Sequence, residues 1–462
     1  MTEIYNKFRQ DAESKAFNHE HRQKIGFNIG RYDEAVKRGK QQYSNLELAR
    51  QRAGNIKYKA IADLERNLAD FEANFERNGG KVIWAQDAAD ALHEIDAILE
   101  KHNATRVVKS KTMVSEEIEL NAHLEGNGIE SLETDLGEFI VQQAGEHPYH
   151  IVTPAMHKSK EDVARLFQEK FNMPANSTPE QITAFVRKLL REKFFFADVG
   201  ITGANFIIAD TGSICLTENE GNGLLCMSFP RIHVVIAGIE KVLPSIKNLD
   251  LFWPLLSTHG TGQNLTAYNS IISGPRLDGE IDGPQEMYVI LLDNGRSDLL
   301  ARKHQRRALG CIRCGACLNT CPVYKTIGGH AYGTTYSGPI GSVITPWLKG
   351  MNDYKHLSYA SSLCGSCTEV CPVKINLHEL LLYNRNDSVK QRYYSMFDAL
   401  SMFAWKKIML NRKWMDTGSG KVKNLLLNKA FAKSWGSRRQ LPEISDRNFK
   451  QLWEERREGK VK

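Results

Sequence analysis

The chain has 462 residues, of which 42% are hydrophobic and 25% are charged, and its formal net charge is +7. This composition excludes an intrinsically disordered or fibrous protein and predicts two or three globular domains. The sequence has no apolar run near the length of about 18 residues that spans a bilayer. Met1–Lys15 also lacks the apolar core of a secretory signal. We therefore expect a cytoplasmic protein without a transmembrane segment.

Residues 1–77 are predicted to form an N-terminal helical segment, because apolar residues recur at helical spacing within residues 10–77. An Asn-Gly-Gly turn at residues 78–80 ends this segment. From residue 78 to residue 300, short β-branched runs alternate with amphipathic helical runs, which predicts βαβ units on a largely parallel sheet. Strands are expected at residues 81–85, 105–109, 150–153, 206–209, 213–217, 233–237 and 288–292. Helices are expected at residues 87–101, 115–124 and 135–144, and another is expected to begin at Thr178-Pro179.

Seven of the nine cysteines lie within a single stretch of 61 residues, in two related motifs. The first motif reads C-x2-C-x2-C-x3-C-P; the second reads C-x2-C-x3-C-P, with Ser361 at the position of the missing first cysteine. In two-cluster ferredoxins the last cysteine of such a motif binds to the other cluster. We therefore predict two [4Fe–4S] clusters. The predicted ligands are Cys311, Cys314, Cys317 and Cys371 for the first cluster, and Cys321, Cys364 and Cys367 for the second.

Other interpretations of the cysteines are weaker. Zinc ribbons pair two C-x2-C dyads around one ion, and a seven-cysteine array fits that pattern poorly. Disulfides need an oxidising compartment, which nothing in the sequence indicates. The fourth iron of the second cluster has several candidate ligands: Ser361, water, a ligand from a partner or a substrate oxygen. That iron could also be lost, which would leave a three-iron cluster. Cys215 and Cys226 lie in apolar runs that are predicted to form strands, and we expect both to be core residues.

The two motifs are predicted to lie in an α-helical ferredoxin-type domain, residues 301–385, because 43 residues separate Cys321 from Cys364. Residues 386–462 form a basic tail. Between residues 388 and 462 there are 18 Lys and Arg against 7 Asp and Glu, whereas the rest of the chain has 43 against 47. We expect solvated helices or a surface for an acidic partner, with an anionic lipid surface as the alternative. No motif of DNA- or RNA-binding proteins supports a nucleic-acid partner.

Six stretches of the α/β region carry a family resemblance: Lys109–Glu117, Glu133–Glu138, Pro154–Lys158, Gly200–Asn205, Thr217–Gly223 and Asp293–Arg296. Together with the cysteine motifs, they resemble the bacterial lactate-utilisation (LUD) iron–sulfur family of the B-subunit type. The resemblance covers nearly the whole chain, including the tail. It implies that residues 78–300 form a LUD domain, similar in fold to ribose-phosphate isomerase and CoA-transferase-like proteins.

The resemblance also implies a function. The chain would be the electron-transfer component of a system that oxidises L-lactate to pyruvate and allows growth on lactate. Its partners would be a cysteine-rich (CCG-motif) subunit and a second, smaller LUD-domain subunit. The seven cysteines match the cluster ligands of the family, whose catalytic residues are not established. Three alternatives stay open: the LUD domain itself oxidises the 2-hydroxy acid, the chain serves another donor such as glycolate or a thiol, or the metal is structural or regulatory.

A site for a 2-hydroxy acid would need a cation near the carboxylate and a base near the hydroxyl. The candidate bases are His157 and His259, whose alternative role is to hydrogen-bond the backbone in turns. The candidate cations are Lys109, Lys158 and Arg296. Polar, glycine-bearing stretches expected to line the crevice at the strand ends contain Glu218, Glu220 and Asn222. The sequence has no G-x-G-x-x-G fingerprint, so the organic acceptor of a hydride is expected on a partner.

Overall fold

The computed structural model describes residues 3–436 and 439–459. The parts of the predicted N-terminal segment and basic tail at residues 1–2, 437–438 and 460–462 lie outside the described residues. The chain divides into two compact units, Met1–Gln391 and Arg392–Lys462. Each unit is described by itself.

The first unit begins with four helices: α1 (Glu3–Ala16), α2 (His19–Gly39), α3 (Leu46–Ala62) and α4 (Leu64–Arg77). Side-chain caps separate these helices, because the Asn18 side chain accepts from the backbone N–H of His21 and the Asn45 side chain accepts from that of Leu48. Buried residues such as Ile25, Ile61 and Phe71 pack this segment onto the core of the unit. The helical prediction for this part of the chain is therefore confirmed.

Six parallel strands form the main sheet: β1 (Lys81–Ala85), β2 (Arg106–Lys109), β3 (Glu130–Glu133), β4 (Val199–Gly203), β7 (Ile232–Gly238) and β10 (Glu286–Leu292). Their order is β1-β10-β7-β4-β2-β3. Almost every residue of the three central strands is buried, as expected for parallel strands covered on both faces. The parallel α/β fold is confirmed.

A second sheet of four strands contains β5 (Phe206–Ile208), β6 (Ser213–Glu218), β8 (Val242–Leu243) and β9 (Tyr268–Ile272), in the order β8-β5-β6-β9. The strands predicted at residues 206–209 and 213–217 exist, but they pair antiparallel in this sheet and not in the main one. The strand predicted at residues 150–153 is wrong. Nδ1 of His150 accepts the backbone N–H groups of Val152 and Thr153 (3.1 and 3.3 Å), so a local turn satisfies this segment.

Nine helices accompany the two sheets: α5 (Ala88–Lys101), α6 (Met113–Glu117), α7 (Leu120–Gly126), α8 (Leu136–Gln143), α9 (Lys160–Phe171), α10 (Pro179–Phe196), α11 (Asn222–Ser228), α12 (Leu249–Gly260) and α13 (Arg296–Leu300). The Thr178 side chain caps α10, and Pro179 is its first residue, as predicted. Cys226 lies in α11 and not in a strand, because the turn at Gly221, whose φ is +78°, starts a helix there.

Six helices form the cysteine-rich region: α14 (Ala316–Thr320), α15 (Pro322–Ile327), α16 (Gly338–Leu348), α17 (Met351–Tyr359), α18 (Ser366–Glu369) and α19 (Leu377–Lys390). This region shares one continuous apolar core with the N-terminal helices and the second sheet. It is therefore held against the α/β region by packing as well as by the chain connection.

The second unit contains four helices: α20 (Met396–Met409), α21 (Arg412–Asp416), α22 (Gly420–Trp435) and α23 (Phe449–Arg457). Large apolar side chains on them are exposed, including Met396, Leu410 and Trp414. Within the described residues, no helix combines the length and the apolar character needed to cross a bilayer.

Candidate functional site

The first cysteine loop runs from Cys311 into α14. The residues on either side of Cys314 both have left-handed backbone conformations, with φ of +60° at Arg313 and +79° at Gly315. This pair of turns bends the chain tightly around the middle cysteine. The backbone N–H of Arg313 donates a hydrogen bond to Sγ of Cys311 (3.4 Å). Cys317 follows in the first turn of α14.

The second cysteine loop repeats this backbone geometry. Leu363 and Gly365, on either side of Cys364, have φ of +55° and +85°. The backbone N–H of Leu363 donates to Oγ of Ser361 (3.1 Å), just as the N–H of Arg313 donates to a sulfur in the first loop. The hydroxyl of Ser361 therefore occupies the position that corresponds to Sγ of Cys311. Helix α14 of the first loop packs against α18 of the second.

The structure brings the seven cysteines together in two groups. Burial raises the pKa of the thiol of Cys317, and the neighbouring thiols of Cys311, Cys314 and Cys371 raise it further. Burial likewise raises the pKa of Cys367 to about 11, with further contributions from Cys321 and Cys364. The first group is thus Cys311, Cys314, Cys317 and Cys371, and the second is Cys321, Cys364 and Cys367.

The spacing of the sulfur atoms tests which metal fits. Within the described residues, no three cysteine sulfurs lie within 4.8 Å of one another. Four sulfurs around a tetrahedral zinc ion, with Zn–S bonds of about 2.3 Å, would lie about 3.8 Å apart. The absence of such close sulfurs disfavours a single zinc ion, whereas a cubane, which holds each cysteine on a different corner, does not need them. Because burial keeps most of these thiols uncharged, bound iron would supply the positive charge that stabilises them as thiolates.

A buried ionic network connects the first loop to the α/β region. The guanidinium of Arg296 lies between Glu117 (Nη2–Oε2, 2.8 Å) and Glu240 (Nε–Oε2, 2.5 Å), and all three side chains are almost fully buried. Glu240 also accepts from Nη2 of Arg313 (3.1 Å), whose guanidinium lies 4.5 Å from the ring centre of Tyr336. The position of Arg313 in the cysteine loop is therefore set by residues at the ends of β7 and β10.

A cavity of about 380 Å³ lies between the carboxyl ends of the parallel strands and the first cysteine loop. Residues that follow β2, β4 and β7 line one side, as expected for a ligand crevice in an α/β fold. The loop residues Arg313 and Cys314 line another. The polar residues that line the cavity include Lys111, Asp135, Asn205, Thr217, Glu218, Asn219, Glu220, Asn222 and Lys241.

Lys241 is the most unusual residue of the cavity wall. Only 8% of it is exposed, and its ammonium group makes no hydrogen bond or ion pair with any residue that the structure describes. Burial and the nearby charge of Arg313 lower the pKa of Lys241 to about 8, although the charge of Glu240 acts in the opposite direction. The carboxylate of the adjacent Glu240 is already shared by Arg296 and Arg313. The cavity therefore contains a largely buried cation that forms no direct ion pair with any described carboxylate.

The acidic side of the cavity is held by backbone groups. Glu218 accepts the N–H groups of Gly223 and Leu224 (2.7 and 2.9 Å), and Glu220 accepts that of Leu136 (3.1 Å). Burial raises the pKa of both carboxyl groups. A raised pKa makes a carboxylate a stronger base. The same cavity thus has a cation that can bind an anion, Lys241, and two carboxylates that can accept a proton, Glu218 and Glu220.

Only some of the site residues predicted from the sequence line the cavity. Glu218, Glu220 and Asn222 line the cavity, but neither candidate base does. Nε2 of His157 contacts Oε2 of Glu146 (2.6 Å). His259 is buried in α12, where its Nδ1–H donates to the carbonyl of Leu255 (2.9 Å), and burial lowers its pKa to about 4.

The three candidate cations are in ion pairs outside the cavity lining: Lys109 with Glu133, Lys158 with Glu146, and Arg296 with Glu117 and Glu240. Sequence reasoning missed the cations that do line the cavity, Lys111, Lys241 and Arg313. Two of them follow strands β2 and β7 within three residues, a signal that could have identified them. Cys215 and Cys226 are buried, and burial raises the pKa of each thiol to about 12.

Comparisons with known proteins extend these observations. The sequence matches the LUD domain family over residues 68–292 and the 4Fe-4S dicluster domain family over residues 307–375. Lactate utilization protein B of Bacillus licheniformis is 41% identical over 428 residues, which cover 90% of this chain and 90% of that protein. The protein of that name from Bacillus subtilis is 45% identical over 352 residues, with coverage of 76% and 73%.

Among solved structures, a DUF162 family protein from Deinococcus radiodurans is 16% identical to this chain. The match covers 50% of this chain and 98% of that one, with a TM-score of 0.29. A TM-score of this size is too low to establish a shared fold.

Proposed function

We propose a function for this chain from the premise that it belongs to the lactate utilization protein B family. Members of that family at 41–45% identity are named for lactate utilisation, and the chain contains a 4Fe-4S dicluster domain. The chain therefore has an iron–sulfur role in lactate utilisation. Our proposal is that it carries the electrons released when L-lactate is oxidised to pyruvate. The observation that carries it is the gathering of seven cysteines into two groups beside the LUD-domain cavity.

The proposed ligands follow the two groups. Cys311, Cys314, Cys317 and Cys371 would hold the first [4Fe–4S] cluster, and the second would be held by Cys321, Cys364 and Cys367. Such clusters accept and release single electrons. In this proposal Ser361 faces the iron of the second cluster that no cysteine binds, because its hydroxyl occupies the position equivalent to a cysteine sulfur.

The burial of the cysteines supports a direction for the electrons. Cys314 and Cys317 are buried, and Cys314 forms part of the cavity wall. Cys364 of the second group is exposed. Electrons would enter near the cavity through the first group and leave through the second, where a partner can approach. The proposed partners are a CCG-motif subunit and a second LUD-domain subunit, and the proposed location is the cytoplasm, where thiols stay reduced.

Anaerobic reconstitution tests this function. We expect about eight iron ions per chain and two clusters that reduce reversibly. The electron paramagnetic resonance (EPR) signal of the reduced clusters should develop with L-lactate only when the partner subunits are present. Cys226→Ala is the matched control, because Cys226 is buried outside both groups and its loss should leave the iron content unchanged. Clusters that cannot be reduced at any applied potential would contradict the proposal.

A second candidate function is favoured by the cavity: the LUD domain itself binds the 2-hydroxy acid. The unpaired ammonium of Lys241 would bind the carboxylate, and Glu218 or Glu220 would face the hydroxyl. Calorimetry with L-lactate and pyruvate on the reconstituted protein tests binding. We expect Lys241→Met to weaken it by about tenfold or more, because a charge-assisted hydrogen bond contributes about 1.5–3 kcal/mol.

Lys247→Met is the control for that experiment, because Lys247 is exposed and lies outside the cavity lining. Equal affinities in the wild type and in Lys241→Met would rule out the binding site. Reduction of the clusters by L-lactate without partners would show that this chain is itself the dehydrogenase. Binding without reduction would leave the chain as the electron carrier.

A further inference from the structure

A separate group of potential metal ligands lies away from the cysteines, where the loop after α8 meets the turn after α15. Glu146 and His157 come from the loop, and His330 comes from the short 3-10 helix His330–Tyr332. One ligand atom of each residue lies within 4.8 Å of the other two. We propose that Glu146, His157 and His330 bind a divalent transition-metal ion, either zinc or ferrous iron. Two imidazoles and one carboxylate are a common ligand set for both ions.

The hydrogen bond of His330 favours metal binding. Nε2 of His330 lies 2.7 Å from the carbonyl oxygen of His147, so this nitrogen must carry the proton and Nδ1 carries the lone pair. A histidine whose other nitrogen donates to a carbonyl is typical of metal sites. Nδ1 of His157 is buried and has no partner, while its Nε2 contacts Oε2 of Glu146 (2.6 Å). An ion shared with Glu146 would bind Nε2 of His157, the nitrogen that faces the carboxylate, and the proton of the ring would then be on Nδ1.

Two glycines allow His330 to approach His157. An added Cβ on Gly328 would stand 1.5 Å from the hydroxyl oxygen of Tyr149, and one on Gly329 would stand 1.8 Å from its carbonyl oxygen. The ring of Tyr149 stacks on His157 at 4.7 Å and meets His330 edge-on at 5.0 Å. The two histidine rings are thus fixed 4.8 Å apart. The Gly-Gly-His sequence is therefore suited to placing an imidazole at this junction.

The charges of the group also suit a cation. Lys158 pairs with Oε1 of Glu146, which leaves Oε2 for the ion and His157. Burial lowers the pKa of both histidines, which favours the uncharged form that binds metals. The side chain of Glu146 is 33% exposed, so the site is open to solvent on one side. Water would complete the coordination shell, as in zinc sites with three protein ligands.

Zinc binding to the reconstituted, iron-loaded protein tests the site. Zn²⁺ is titrated against a chromophoric chelator, and bound zinc and iron are then counted by mass spectrometry. We expect about one zinc ion per chain in addition to the cluster iron. His157→Ala and Glu146→Gln should each weaken zinc binding at least about tenfold without changing the iron count.

His123→Ala is the matched control, because His123 pairs with the carboxylate of Asp96 at 2.8 Å but has no third ligand. This variant should bind zinc like the wild type. Absence of zinc binding by the wild type, or equal binding by the His157→Ala and Glu146→Gln variants, would overturn the proposal. Mössbauer spectra after anaerobic addition of Fe²⁺ decide between the ions. A high-spin ferrous signal, lost in His157→Ala, assigns iron, and its absence alongside zinc uptake assigns zinc.

Discussion

The α/β region and the cysteine-rich region of the first unit bury polar groups in opposite ways. In the α/β region, the buried charges other than Lys241 that are described above are paired within the protein: Nζ of Lys109 lies 2.5 Å from Glu133, and Arg296 lies between Glu117 and Glu240. In the cysteine-rich region, buried thiols are gathered in two groups, and no cation among the described residues pairs with them directly. Most buried charges of the first region named here are compensated by the protein's own ion pairs, whereas the thiols of the second would be compensated when metal ions bind. Buried groups that lack protein partners are therefore the best indication of a cofactor in this molecule.

The largest expected effect is the loss of a cluster from the cysteine-rich region. Cys317→Ala removes a ligand at the centre of the first group, and we expect roughly half of the iron to be lost. The EPR signal of the first cluster should disappear, and lactate-driven reduction of the second should stop because the electrons would enter through the first. Iron counting and EPR of the reconstituted protein measure both effects. Full iron content in this variant would exclude the proposed ligand set.

The second-largest effect is expected in the α/β region, where Arg296 forms buried ion pairs. Arg296→Met leaves the buried carboxylate of Glu117 without its cation and leaves Glu240 with Arg313 alone, and we expect a loss of about 3–5 kcal/mol in the free energy of unfolding. Urea unfolding measures this loss. Arg106→Met, which removes a pair with Asp198 at the surface, is the control and should change the unfolding midpoint little. Equal midpoints for the two variants would show that the buried network does not stabilise the fold.

A smaller effect is expected from acid, through a buried histidine of the main sheet. Burial lowers the pKa of His233 to about 3, and its Nε2 lies 2.8 Å from Oγ1 of Thr202. The unfolded chain, with an ordinary histidine pKa of about 6.5, takes up a proton that the folded chain cannot accept. Stability therefore falls as the pH drops from about 6.5 towards 4, by roughly 1–3 kcal/mol for this residue.

His233→Gln keeps a hydrogen-bonding group near Thr202 but removes the titration. Unfolding measured between pH 7 and pH 5 should depend less on pH in this variant than in the wild type. The comparison between the two proteins removes the contribution of the acid-labile clusters, which both would contain. An unchanged pH dependence would show that His233 is not kept neutral by burial.

The smallest effect is expected from Ser361, the one cysteine position of the first motif that the second motif does not share. Ser361→Cys would give the second loop the same ligand set as the first. We expect this variant to retain about one more iron ion per chain after mild oxidation than the wild type. The EPR signal of a three-iron cluster should appear in the wild type and in Ser361→Ala but not in Ser361→Cys. The same signal in all three proteins would mean that residue 361 does not face the cluster.

Residues with a strong local pattern were predictable. Thr178-Pro179 starts a helix as expected, and the strands at residues 81–85 and 288–292 are present, because capping chemistry and apolar runs act over a few residues. The segment at residues 150–153 was not predictable, since the ring of His150 competes with a strand for the same backbone groups. Strand β4 was missed because the glycines in Val199–Gly203 weaken its pattern.

The candidate site likewise has features that a local sequence pattern predicts and features that depend on contacts between distant segments. The spacing of the cysteines depends on the short loops that fold around a cluster, so the sequence by itself determined the kind of cofactor, the α/β class and the family. Only the tertiary structure decided which cations line the cavity, because Lys109 ends strand β2 and Lys241 follows strand β7, but only Lys109 pairs directly with a buried carboxylate. It also decided that His157 lies beside His330, which is 173 residues away in the chain. Contacts of that kind depend on packing between distant segments, which no local pattern encodes.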